Sequence, residues 1–143
     1  MQIFNKRASF DYALYERIEA GIMLTGAEVK AVRLGHADLT GSHVRILGNE
    51  VFLINVHIFP YQYTRSESGN ERRSRKLLLH RKEITALRSK IEGQNLTIVP
   101  VKLYTSGRLI KAELALAKGK KQYEKREGKK RKDLERELAQ DLS

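Results

Sequence analysis

Several features that catalytic proteins depend on are missing from this sequence. It has no cysteine, and its four histidines form no metal-binding spacing such as HExxH. It has neither a GxxxxGK[ST] loop nor a GxGxxG loop, so a cradle for a nucleotide cofactor is not recognisable. We therefore expect no catalytic residues, no metal site and no cofactor, which favours a binding protein over an enzyme.

Long apolar stretches are also missing. No run approaches the roughly 18 apolar residues of a membrane span. The first residues, Met1 to Arg7, lack the apolar stretch of a secretory signal. At 143 residues the chain has room for one hydrophobic core. These features predict a single cytoplasmic domain without a membrane partner.

Positive charge is what the sequence has in excess. Lys and Arg number 28 against 17 Asp and Glu, which gives a net charge of +11 and a pI near 10.0. An imbalance of this size in so short a chain favours a polyanionic partner. An anionic membrane would usually require an apolar anchor or a basic amphipathic helix with aromatics, and neither is evident.

Turn signals divide the first part of the chain into short strands, while two segments have helical spacing. The predicted strands are 12–19, 44–47, 51–59, 96–104 and 109–116. Thr25 is a suitable N-cap for a helix over 27–34 that ends at Gly35, and a second helix over 81–92 would end at Gly93. Short strands with small helices predict a closed or nearly closed barrel, with an open sheet as the alternative.

Two basic segments stand out from this β-rich body. Residues 62–76 read as a polar, mobile loop that ends in a cluster of cations, Arg72, Arg73, Arg75 and Lys76. Residues 118–132 contain nine basic and two acidic residues, a net charge of +7. Because such a segment cannot bury itself, we divide the chain into a body, 1–117, and a basic tail, 118–143.

The cations with the best placement for RNA lie in three groups. Arg73, Arg75 and Lys76 share the loop, where guanidinium groups match phosphate oxygens. Lys6 and Arg7 lie close to Phe4 and Phe10, whose rings are able to stack on bases. The third group, which directly follows the last strand, is Lys118, Lys120 and Lys121.

The ordered motifs of this chain resemble the SmpB family, the SsrA-binding proteins. The resemblance covers almost the whole chain. Its blocks are Asn5-Lys6-Arg7-Ala8, Glu19-Ala20-Gly21, Gly26-x-Glu28-Val29-Lys30-x-x-Arg33, Arg73-x-Arg75-Lys76-Leu77-Leu78-Leu79, Val99-Pro100, Lys102-Leu103-Tyr104, Ala117-Lys118-Gly119-Lys120-Lys121 and Glu124-Lys125-Arg126. Three positions depart from the family pattern: Glu124 for a usual Asp, Tyr123 for a frequent His, and His36 for a common Lys.

The resemblance implies a mainly β fold: an OB-like antiparallel β-barrel with two or three short helices and a basic C-terminal tail. It implies that the barrel binds the tRNA-like domain of tmRNA through positions that include Asn5, Glu19 and Lys118-Gly119-Lys120. Lys30 and Arg33 of the family motif join the expected RNA-binding set.

The same resemblance implies that the tail is disordered in solution and becomes helical in the mRNA channel of a stalled ribosome. Its ribosome-binding residues would be Tyr123, Glu124, Lys125 and Arg126. The implied function is delivery of tmRNA to stalled ribosomes for trans-translation, and tmRNA would bring elongation factor Tu (EF-Tu) as an indirect partner.

Three other functions fit parts of the same sequence. A ribosomal protein or another OB-type translation factor would share the charge and the barrel. An RNA-modifying enzyme would need a cofactor cradle or a catalytic constellation, which the sequence does not show. A purely structural role is the third alternative.

Overall fold

Nine strands and three helices make up the computed structural model, which describes residues 1–59 and 71–119. The strands are β1 Gln2–Phe4, β2 Tyr12–Ile22, β3 Ala37–Asp38, β4 His43–Leu47, β5 Glu50–Ile54, β6 His57–Ile58, β7 Arg75–Leu78, β8 Thr97–Ser106 and β9 Leu109–Gly119. The helices are α1 Ala8–Asp11, α2 Gly26–Arg33 and α3 Arg81–Gln94. Among the described residues, no helix is long and apolar enough to cross a membrane.

The principal sheet closes on itself through antiparallel pairings. Its strand order is β1-β8-β4-β5-β7-β2-β9, and β9 pairs again with β8. Six strands therefore form an OB-like ring, while β1 lies outside it on β8, and β3 with β6 forms a separate two-stranded sheet. This arrangement confirms the predicted mainly β, OB-like fold with short helices.

The core fills the inside of this ring because the strands alternate between inward and outward side chains. On β9, Ile110, Ala112 and Leu114 are buried while Lys111 and Glu113 are only partly so. A fully buried side chain such as that of Leu114 stabilises the fold by about 1.5–3 kcal/mol. The predicted wet and buried sides of this strand are confirmed.

Helix α2 begins where the sequence predicts. The Thr25 hydroxyl accepts a hydrogen bond from the Glu28 N–H (3.2 Å), and the Glu28 carboxylate accepts one from the Thr25 N–H (3.0 Å). This reciprocal capping box satisfies two amides of the first turn. Gly35 follows the helix with a φ of +80°, which a side chain would disfavour.

Several predicted boundaries are wrong: β2 runs past the predicted 12–19 to Ile22, and β9 runs past the predicted 109–116 to Gly119. Helix α3 passes through Gly93 to Gln94, because Asn95 adopts the left-handed conformation (φ 52°) that ends it. The predicted strand 51–59 stops at Ile54, since Asn55 has a φ of 65° and the chain then joins β3. The predicted loop 62–76 ends too late, because strand β7 already begins at Arg75. Residues 60–70 lie outside the described residues.

Candidate nucleic-acid interface

Asn5 fixes the junction between β1 and α1. Its backbone N–H donates to the Val101 carbonyl (2.8 Å) and its side-chain Nδ2 donates to the Pro100 carbonyl (2.9 Å). Its Oδ1 is buried and has no hydrogen-bond partner among the described residues. Asn5 therefore positions the chain next to two exposed cations, Lys6 and Arg7.

Arg7 lies beside an aromatic ring, as its spacing suggests. The guanidinium carbon is 5.0 Å from the centroid of the Phe10 ring, and Nη2 is 3.5 Å from the Asp11 carboxylate. Both interactions are at the surface. The geometry leaves the Arg7 side chain, 59% exposed, within reach of a polyanion.

Glu19 belongs to a polar cluster on the outside of the barrel. Because β2 pairs with β9, Lys111 Nζ lies 2.6 Å from Glu19 Oε1. The Lys111 hydrogen bond, followed by the one from Tyr104, lowers the pKa of Glu19. Desolvation, followed by the Glu19 hydrogen bond, raises the pKa of Tyr104 to about 12. At neutral pH the cluster is therefore a carboxylate held by an ammonium and a neutral phenol.

A shallow groove of about 460 Å³ runs past this cluster. Its residues combine an ion pair, a histidine and an exposed leucine. They are Glu19, Ala20, Gly21, Leu78, Leu79, His80, Glu83 and Lys111. A Cβ at Gly21 would lie 3.3 Å from the Leu78 Cβ, so the glycine permits the close approach of β2 and β7 here. The groove offers a ligand both charge and apolar surface.

The predicted arginine loop is held by a carboxylate on α2. Glu28 Oε1 pairs with Arg73, and Glu28 Oε2 accepts from Arg75 Nε (2.8 Å). Burial alone would raise the pKa of Glu28, but hydrogen bonds from Thr25, Arg73 and Arg75 outweigh it and lower the pKa. The cluster joins α2 to β7 and to the segment before it.

Arg75 uses its remaining donors on backbone carbonyls. Nη1 donates to Val56 (2.7 Å) and to Arg73 (3.0 Å), and Nη2 donates to Glu71 (2.9 Å). The side chain is 0% exposed. The predicted RNA contact of Arg75 requires an accessible guanidinium, and the structure contradicts that requirement because the group is the hub of a buried network.

The other two predicted cations of this cluster have different surroundings. Arg73 remains 35% exposed beside Glu28. Lys76 is exposed on β7, a strand and not the loop that the sequence predicts. The three side chains therefore do not form one patch, because alternation along a strand sends Arg75 inward and Lys76 outward.

Lys30 and Arg33 lie on the exposed side of α2. Arg33 Nη2 donates to the Arg108 carbonyl (2.9 Å), which ties the helix to the turn between β8 and β9. Lys118 and Gly119 are exposed at the end of β9, where they pair with Ala13 and Tyr12. The remaining predicted residues lie outside the described residues: Lys120, Lys121, Tyr123, Glu124, Lys125 and Arg126.

Sequence analysis missed two members of the Glu19 cluster. Lys111 and Tyr104 are partly buried on the outer sides of β9 and β8. The alternation on β9 marks Lys111 as outward-facing, but the sequence does not show that β9 pairs with β2. No group of histidines and acidic residues within 1–59 and 71–119 could hold a metal ion.

Taken with the net charge of +11, this ring defines a small basic protein of the OB-like class. The family model "SmpB protein" matches residues 2–143. The chain belongs to the SmpB family.

The relatives are similar over nearly their whole length. The "SsrA-binding protein" of Pelobacter propionicus is 47% identical over 138 residues, covering 96% of this chain and 91% of that protein. The "SsrA-binding protein" of Geobacter sulfurreducens is 49% identical, covering 96% and 90%. A solved structure described as "tmRNA-SmpB: a journey to the center of the bacterial ribosome" is 44% identical, covers 85% of each chain and has a TM-score of 0.70.

Proposed function

We propose that this chain binds the tRNA-like domain of tmRNA and delivers tmRNA to stalled ribosomes for trans-translation, the rescue that tags incomplete polypeptides. It acts as a non-catalytic RNA-binding factor in the cytoplasm, with EF-Tu as an indirect partner through tmRNA. The observation that carries the proposal is the 44% identity and TM-score of 0.70 to a chain of the tmRNA–SmpB ribosome structure.

The barrel provides the RNA-binding part of this function. We assign contacts to the exposed cations Lys6, Arg7, Lys30, Arg33 and Lys118, and to the groove beside Glu19. Asn5 supports this surface from beneath, because its side chain is bonded to β8. Arg75 is left out of the contact set since its guanidinium is fully buried.

The tail provides the ribosome-binding part. Beyond the lysines that adjoin the barrel, residues 122–132 hold six basic and two acidic residues, and this net charge of +4 suits a channel lined with rRNA phosphates. Lys120 and Lys121 adjoin the barrel and belong with its RNA contacts, whereas Tyr123, Glu124, Lys125 and Arg126 serve the ribosome.

The primary test is binding of the full chain to a tmRNA tRNA-like domain and to an ordinary tRNA across a salt series. We expect a preference for the tmRNA fragment that persists at physiological salt. If about five phosphates are neutralised, log K should fall with log salt with a slope near −4.5. Equal and steeply salt-dependent binding to both RNAs would instead favour a ribosomal protein or another OB-type translation factor.

A truncation after Lys121 tests the division of labour. The shortened chain should keep its affinity for the tRNA-like domain and should fail to tag peptides on stalled ribosomes. Loss of RNA affinity in the truncated chain would contradict the assignment of the tail to the ribosome.

A further inference from the structure

The outer surface of the barrel has two halves with different charge pairing. We call the outward side chains of β2, β8 and β9 the paired face, because Lys102, Lys111 and Arg17 lie 2.6–3.4 Å from carboxylates of Glu19 or Glu113. We call the outward side chains of β4, β5 and β7 the open face. Its central cations are Arg45 and Lys76, and the described part of the chain offers neither side chain a hydrogen bond or an ion pair.

An aromatic ring lies between these two cations. Phe52 is the register partner of Arg45 on β4 and of Lys76 on β7. Its neighbours Val51 and Leu53 are fully buried, so Phe52 points outward. Directly opposed side chains on paired strands have Cβ atoms about 4.5–5.5 Å apart, so the three form a continuous row.

Apolar side chains border this row, and Arg88 and Glu92 of α3 line the same depression as Arg45. Leu47 and Leu78, on the strands to either side, are 57% and 51% exposed. Glu50 lies between them and is the one acidic residue that the described strands β4, β5 and β7 contain. The face therefore combines unpaired positive charge, one aromatic ring and exposed aliphatic surface.

This combination fits an unpaired nucleotide better than it fits a duplex. Sequence-tolerant binding of single strands uses aromatic rings that stack on bases and cations that follow the backbone. A duplex keeps its bases stacked inside and would leave the Phe52 ring without a partner. A protein partner would have to supply carboxylates to both cations and an apolar group to the ring.

We propose that Arg45, Phe52 and Lys76 form a second RNA site, in which the Phe52 ring stacks on an unpaired base and the two cations bind the flanking phosphates. This site goes beyond the binding of the tRNA-like domain proposed above. It reassigns Lys76 from the arginine loop to a row that crosses three strands of the barrel.

The absence of tryptophan from the chain provides a direct test. Phe52→Trp places a single indole in the row, and its fluorescence should be quenched when a short single-stranded oligoadenylate is added. Leu109→Trp, at an exposed position in the turn region of β8 and β9, is the matched control. The expected result is quenching of the indole in the Phe52→Trp variant together with little change in the Leu109→Trp variant.

Three outcomes would overturn the site. No quenching in the Phe52→Trp variant would show that no base stacks there. Equal quenching in both variants would show only the general attraction of RNA to a chain of charge +11. If an acidic peptide binds in place of the oligonucleotide and quenches the indole of the Phe52→Trp variant, the face belongs to a protein partner instead.

Substitutions separate stacking from charge. Phe52→Ala should weaken oligoadenylate binding about tenfold, while Phe52→Tyr should retain it, since the phenol also stacks. Arg45→Ala should reduce the salt slope by about 0.7, the value for one phosphate of a single strand. Retention of full affinity by a folded Phe52→Ala variant would contradict the proposal.

The same variants distinguish this site from the proposed tmRNA function. Affinity of Phe52→Ala for the tRNA-like domain is measured in parallel, with circular dichroism to check the fold. If the second site is wrong, the Phe52→Ala variant binds oligoadenylate as tightly as the unaltered chain does, and both proteins still bind the tRNA-like domain. If the tmRNA function is wrong, the unaltered chain itself shows no preference for the tRNA-like domain over an ordinary tRNA.

Discussion

The paired face and the open face are built on one closed sheet but make different use of positive charge. On the paired face, Glu113 contacts both Arg17 (3.1 Å) and Lys102 (3.4 Å). On the open face, Arg45 and Lys76 flank a phenyl ring without a carboxylate partner from the described residues. A phosphate has to displace a bonded carboxylate on the first face, whereas on the second face no carboxylate of the described residues is bonded to Arg45 or Lys76.

This difference shows that net charge does not measure the capacity to bind RNA. The chain carries +11, but surface ion pairs reduce the field of several cations before any ligand arrives. Exposed pairs contribute little to stability, about 0–1 kcal/mol each. Their main consequence is to decide which cations remain available.

Beneath the open face, the Glu28–Arg73–Arg75 cluster is of another kind. Arg75 is fully buried and Glu28 is only 12% exposed, so Arg75 in particular cannot regain water when its partner is lost. Breaking a buried pair on one side is far more costly than breaking a surface pair. The strand that carries Lys76 therefore depends on an interaction that does not contact RNA itself.

The largest effect should come from Glu28→Gln, which leaves Arg75 buried without its counter-charge. We expect the free energy of unfolding in urea to fall by about 3 kcal/mol. Glu16→Gln is the matched control, since the Glu16–Lys90 pair lies at the surface, and it should cost less than about 0.5 kcal/mol. Similar losses in both variants would remove the distinction between buried and surface pairs.

A smaller effect should appear on acidification. The pKa of Glu28 is lowered from its ordinary value of 4.5, so its stabilising contribution is complete above that pH. The contribution is lost as the pH falls through the lowered pKa of the folded state. Urea midpoints measured from pH 7 downward should decrease below pH 4.5, and the decrease should be shallower in Glu28→Gln. If the urea midpoints of the two proteins fall in parallel with pH, protonation of Glu28 is not the cause of the lost stability.

The open face can be made to resemble the paired face by adding a carboxylate. Ser74 immediately precedes β7, lies two residues before Lys76 and is exposed like it, so Ser74→Glu adds an acid close to Lys76 in sequence. We expect about fivefold weaker binding of single-stranded oligoadenylate, with a reduced salt slope. Ser74→Gln, which has the same length without the charge, should bind normally. Equal effects of both substitutions would point to steric hindrance.

The converse change on the paired face should have the smallest effect. Glu113→Gln removes the carboxylate shared by Arg17 and Lys102, and both cations become available to phosphate. Affinity for a double-stranded RNA hairpin should rise about twofold, and the salt slope should steepen by about 0.9 for each additional phosphate. Unchanged affinity and slope would mean that the ion pairs do not limit binding on this face.

Local patterns were sufficient to predict several elements. The N-cap at Thr25 and the predicted strands that correspond to β4 and β9 each depend on residues a few positions apart. The resemblance in motif order predicted the OB-like fold and the family. The RNA contacts of Lys6, Arg7, Lys30, Arg33 and Lys118 remain predictions, although all five side chains are exposed.

The errors arose where distant segments compete with local preference. Arg75 stands in a run of polar residues that predicts a loop. Instead, it pairs with Leu53 of β5 as part of a strand, and the Glu28 carboxylate balances its positive charge in the interior. Gly93 predicts a helix end, but the helix continues until Asn95 takes the left-handed conformation and Leu96 packs against the core.

By itself, the sequence determined the charge, the starts of α2 and α3, several short strands and the family, because these depend on composition, short spacings and motif order. The tertiary structure decided which strands close the ring, and thereby which charges meet. Glu19 and Lys111 become a pair only when β2 lies beside β9, and Arg45, Phe52 and Lys76 become a row only through β4, β5 and β7. Such contacts are set by burying the core in one closed register, a condition that no short stretch of sequence contains.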